Sequence, residues 1–241
     1  MYNQPIEEKQ SWEHAGIVFS GDFSSSKRTK EMANKGKEAV ASLMCAGIRP
    51  GGLNPICGAE IWKSVGLARM LYGSQLWWNM TKTDLETLER VNRLAAKRMQ
   101  GLCLTTKSEA AIGNLGLWTI EGYIDKIKLF FLQKLVSTSQ DFFHKQIFIW
   151  RLFKYLYTGS NCTQGFIKDI LKILTKYNLE EHLLSYIETA HFPTELTWKS
   201  IVNKAISTQQ IHNWRAGIAT KPELEYYGLI HQDLKPLGCG P

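Results

Sequence analysis

The sequence predicts a mainly α protein, a multi-helix bundle with one short β-strand or hairpin near its N-terminus. Three observations predict it. Apolar residues recur at helical spacing through most of residues 26–229. Only one run, Ala15-Gly16-Ile17-Val18-Phe19, has the character of a strand. Breakers at Gly159, Asn178, Pro193 and Pro222 fall between the periodic runs. A length of 241 residues allows one large domain or two small ones, and the balance of 44% hydrophobic and 21% charged residues is that of a globular protein.

The elements follow in order. Residues 1–11 are a loose start. The strand at 15–19 needs a partner, because a lone strand leaves its own backbone groups unpaired. Gly21-Asp22 makes a turn. The Ser24–Ser26 triplet precedes a long polar helix to about residue 46, with Ser26 as its N-cap. Residues 49–55 form a Pro-Gly loop. Residues 57–78 make a helix apolar almost all round, which predicts a central, buried position. Thr83 and Glu86 form a capping box for a helix that runs to about Gln100 and stops at Gly101. Helical patterns then cover 106–115, 119–136, 140–158, 164–176, 179–190, 195–216 and 222–229, and the tail 237–241 is loose.

The net charge of +7 is uneven: −3 over residues 1–26, +8 over 27–107 and +2 over 108–241. The positive field of the first half favours polyanions. Five cysteines, with no CxxC pair and no His–Cys cluster, predict reduced thiols and no zinc site. No signal peptide is visible, and no apolar run reaches the roughly 20 residues that span a bilayer.

Three groups of cations stand out. On a wheel, Arg90, Arg93 and Lys97 oppose the apolar face of Leu85, Leu88, Val91, Ala95 and Met99. They can track a phosphate backbone, or they can form a solvated face, since Glu86–Arg90 and Glu89–Arg93 are i,i+4 pairs. Arg98 and Lys107 add charge near the end of that helix. Arg69, in the apolar 57–78 run, must pair with a carboxylate or reach out to a ligand. Lys168, Lys172 and Lys176 read as the polar side of an ordinary amphipathic helix. The dense apolar run 142–156 is core or a docking surface. No GxSxG, HExxH, P-loop or GxGxxG occurs, no two aspartates are adjacent, and the six histidines, which lack ligand spacing, read as surface or capping residues.

The segment Ile61 to Trp77, with Leu71-Tyr72-Gly73 followed by Trp77, resembles an element that follows the reverse transcriptase palm in non-LTR retrotransposons. Leu85-Glu86 through Arg98, Met99 and Leu102 is similar to that family's next helix, and Ala110 through Leu115-Gly116 and Trp118 to the stretch after it. His14-Ala15-Gly16-Ile17 resembles the last palm strand, with Ala15 where the family usually has Leu; Gln75 stands at a common Glu. The resemblance is good over about 12–135 and weaker to 230. It implies a remnant of the last palm strand at 1–25, a thumb-like basic helical region at 26–107 and a C-terminal helical extension at 108–241. The family's Tyr/Phe-x-Asp-Asp lies upstream of this strand, so no catalytic residue carries over, and the departures suggest a decayed or truncated element copy.

The expected function is therefore non-catalytic, non-specific binding of RNA or DNA through Arg69, Arg90, Arg93, Lys97, Arg98 and Lys107. No metal, cofactor or membrane is expected, and the compartment is nuclear or cytoplasmic. Two alternatives stay open: a helical protein-interaction module, or a translated element remnant with no function.

Overall fold

Ala15 and Gly16 both adopt positive φ, 50° and 76°. That two-residue turn matches the twist of antiparallel strands, and it folds β1 (Ser11–His14) back on β2 (Ile17–Ser20), with Trp12 opposite Phe19 and His14 opposite Ile17. The predicted strand thus begins two residues late, because its first two residues are the turn, and its partner is the Ser11–His14 segment just before that turn, of which only Ser11 falls in the start expected to be loose. The computed structural model describes residues 11–20, 25–158 and 165–234. The Gly21-Asp22 turn, the Gly159 break, Cys162 and the tail 237–241 lie outside them.

Helix α1 (Ser26–Cys45) begins one residue after Ser25. The hydroxyl of Ser25 does not cap α1; it donates to Asp84 Oδ2 at 2.5 Å. The 57–78 run is not one helix. It divides into α2 (Pro55–Ile61), a π turn (Trp62–Gly66), α3 (Leu67–Met70) and a 3-10 turn (Ser74–Leu76) entered through Gly73 at φ 75°. At the π turn the indole of Trp62 lies over Gly66, where a Cβ would collide with it. Trp62 is fully buried and its Nε1 donates to Asn92 Oδ1 at 3.0 Å.

Helix α4 (Lys82–Gln100) also starts earlier than its sequence suggested. The cap is Thr81: its hydroxyl accepts from Asp84 N at 3.1 Å, and Asp84 Oδ2 accepts from Thr81 N at 3.0 Å. Thr81 and Asp84 form the capping box that Thr83 and Glu86 were expected to form. Asp84 suits it better because the same carboxylate also receives Ser25, which leaves Glu86 free for arginines. Gly101 ends the helix at φ 68°, as expected.

The remaining described elements are helices and turns: α5 (Ser108–Leu115), α6 (Ile120–Ser137), α7 (Phe143–Thr158), α8 (Phe166–Lys176), α9 (Glu180–Thr189), α10 (Glu195–Ala219), a 3-10 turn (Pro222–Leu224) and α11 (Glu225–Ile230). The chain is a mainly α, multi-helix protein. No helix among the described residues is long and apolar enough to cross a membrane.

Among the described residues three apolar cores form. The first runs from Met32 to Ile124 and crosses residue 107 without a break, because α5 closes over α4 through Ala111 and Leu115. The second joins α6 through α10, from Leu129 to Ile206. The third, small, packs Trp214 and Ile218 against Leu224 and Leu234. Helix α6 belongs to two of them, with Ile120 and Ile124 in the first and Leu129, Leu132, Leu135 and Val136 in the second. His231 is the C-cap residue of α11, its N–H donating to Tyr227 O, and it is buried rather than on the surface, with Nε2 3.1 Å from Gly113 O.

Burial raises the phenols of Tyr123, Tyr177 and Tyr227, the last to about 12, and the neighbouring Asp125 adds to the effect at Tyr177. An unfolded tyrosine ionises near pH ~10. The preference for the neutral phenols therefore stabilises the fold below about pH 10 and is lost as the pH rises through about 12. In circular-dichroism melts the midpoint should hold steady to about pH 10 and then fall, with part of the phenolate absorbance arriving only on unfolding. Complete phenolate formation near pH ~10 with the fold intact would contradict this.

Candidate nucleic-acid interface

Helix α1 buries Met32, Ala33, Gly36, Ala39 and Val40 and turns its other side outward. Gly36 allows the close approach: a Cβ there would lie 3.0 Å from Val91 of α4 and 2.5 Å from the sulfur of Met70 in α3. Lys27, Lys30 and Lys37 are exposed on the outer side. Two glutamates share that side, but each is held by its own cation. Glu31 pairs with Lys35 at 3.3 Å, and Glu38 with Arg69 at 2.9 Å. Among the described residues, Lys30 and Lys37 have no carboxylate partner. They are seven residues apart, which sets them about 10.5 Å apart along the axis on one face, some three base-pair rises of a duplex strand.

The six cations expected to form the interface do not form one surface. Arg69 pairs with Glu38 and so joins the outer side of α1. Arg90 and Arg93 share the single carboxylate of Glu86, at 3.3 Å for Arg90, so this trio keeps one net positive charge. Lys107 pairs with Glu223 at 3.0 Å and ties the start of α5 to the 3-10 turn before α11. Lys97 is buried, and its ammonium donates to Leu104 O at 2.8 Å. The wheel places it opposite the apolar face correctly, but the chain after Gly101 folds back over that side and covers it. Arg98 is exposed, and among the described residues it has no ion pair. The loop carrying the exposed Arg49 seats Pro50 against Gly101, which brings Arg49 and Arg98 to the same end of the α1–α4 pair.

Exposed ion pairs contribute only about 0–1 kcal/mol, so a phosphate can take the place of Glu86 on Arg90, whose side chain is 74% exposed. Lys97 has no such freedom, because leaving Leu104 would strand a buried ammonium.

The other lysine stripe does structural work at its end. Lys176 reaches Glu121 at 2.6 Å and Asp125 at 2.8 Å, Tyr177 donates to Asp125 at 2.9 Å, and Lys128 meets Asp169 at 2.9 Å. These pairs stitch α8 to α6 around a cleft of about 270 Å³. Burial raises the Asp125 carboxyl, and Lys176 and Tyr177 pull it back. Among the described residues no three His, Cys, Asp or Glu gather to hold a metal ion.

No family model, curated protein or solved structure matches the chain. Lys30 and Lys37 were missed in the sequence because residues 26–46 read only as a polar helix. Their signal was the seven-residue spacing, which sets both along one exposed edge of the helix, flanking the side that buries Met32, Gly36 and Val40.

Proposed function

We propose that this chain is a non-catalytic helical module that holds duplex RNA or DNA without sequence preference, chiefly along the outer side of α1. The observation that carries this is the pair Lys30 and Lys37, two turns apart and without a carboxylate partner among the described residues. Arg98 and Arg49 extend the positive surface at the far end of the α1–α4 pair. The likeness of residues 61–102 to the helices after a retrotransposon reverse transcriptase palm supports the same reading, since a thumb-like region grips a template–primer duplex.

Two or three phosphate contacts give a shallow salt dependence. Fluorescence anisotropy with a 20-bp RNA duplex should give a Kd on the order of micromolar at low salt, with a log–log slope against KCl of about −2 to −3. A DNA duplex of unrelated sequence should give the same slope. Absence of binding at low salt, or binding that depends on sequence and ignores salt, refutes the proposal.

A further inference from the structure

Helix α7 has two apolar sides and buries only one. Phe148 and Leu152 enter the second core. The ammonium of Lys145 anchors the same side: it donates to Val136 O at 2.5 Å, at the C-terminal end of α6, and lies 4.8 Å from the ring centre of Tyr186. The opposite side shows Phe143, Ile147, Trp150, Phe153 and Tyr157 to solvent, with Phe143 75%, Trp150 62% and Tyr157 94% exposed. Scattered exposed apolar residues are normal on a folded protein, but a continuous stripe of large ones marks a contact surface.

Three features say what covers it. Phe143, Trp150 and Tyr157 are each seven residues apart, and Phe153 follows Gln146 by seven. This is the repeat that seats one straight helix along about 21 Å of another. Lys154 lies within the stripe, its ammonium 5.0 Å from the ring centre of Trp150. A cation there calls for a facing carboxylate and opposes insertion into hydrocarbon. Finally, no Asp or Glu occurs between Asp141 and Asp169. A second α7 laid antiparallel would therefore meet the first with like charge only.

We propose that the outer side of α7 docks an acidic amphipathic helix of a partner protein, with apolar anchors at i, i+3, i+4 and i+7 and a carboxylate facing Lys154. This surface is separate from the cations of α1, so either proposal can fail alone.

The test uses the whole chain and a labelled peptide of about three heptads, with leucine at the seam and glutamate at its flanks, beside a twin carrying lysine in place of each glutamate. The acidic peptide should bind and the basic twin should bind at least about tenfold more weakly. Trp150→Ala should weaken the acidic peptide about tenfold with an unchanged melting temperature, since the side chain is largely exposed. Lys154→Glu should reverse the preference toward the basic twin. Equal binding of both peptides overturns the proposal, as does indifference to Trp150→Ala. Adsorption to phosphatidylserine vesicles in preference to the peptide, or self-association that excludes the peptide, overturns it as well.

Discussion

Trp198→Ala should lower the unfolding free energy by about 4 kcal/mol, measured by urea denaturation at neutral pH. Trp198 has no exposed surface. Its indole Nε1 donates to Leu129 O at 2.8 Å, which fixes α10 against α6. Phe192 packs at a tilt with its ring centre 4.8 Å away and His182 meets it edge-on at 5.4 Å, so the ring also holds the chain between α9 and α10. Alanine leaves a cavity where the indole stood between α6 and α10 and strips Leu129 O of its partner. The total stability of such a domain is about 5–15 kcal/mol, so this one change removes a large part of it. Trp198→Phe keeps most of the ring and loses the hydrogen bond, for a cost of about 1–2 kcal/mol. A loss below about 1 kcal/mol for the alanine variant would show that the second core is not packed around this residue.

Lys30→Glu with Lys37→Glu should reduce duplex affinity about 100-fold at 50 mM KCl, since each reversal removes one phosphate contact and adds repulsion. Replacing both with glutamine should cost about tenfold, and the salt slope of that variant should drop by about 2. Both side chains are exposed and without an ion pair among the described residues, so the melting temperature should stay within a few degrees. An affinity change of less than about threefold would move the binding surface elsewhere, and Arg90 and Arg98 would be the next pair to reverse.

Helix positions were legible because each helix buries an apolar stripe, and stripes are written in residue spacing. Their starts were less so. Thr81 and Thr83 are equally good caps in a sequence, and what separates them is Ser25, which reaches the Asp84 carboxylate from 59 residues away. The π turn was not legible either, since it depends on where the Trp62 indole lies on Gly66 and on its bond to Asn92. The hairpin turn was hidden because alanine seldom takes positive φ, as Ala15 does at 50°. At the interface, sequence placed Arg90, Arg93 and Lys97 on one side of α4 correctly. It could not show that Glu86 serves two arginines, or that the segment after Gly101 covers Lys97. Long-range partners decide whether a cation is available, and spacing along one helix does not report them.

Because α6 contributes side chains to both large interiors, loosening one removes support from the helix that the other packs on. Loosening the hairpin side draws on the same backbone that Trp198 grips, so strain applied at one end is felt at the other. A nick within Ile120–Ser137 would sever the spine common to both halves, whereas one at a helix connection elsewhere would leave that spine whole.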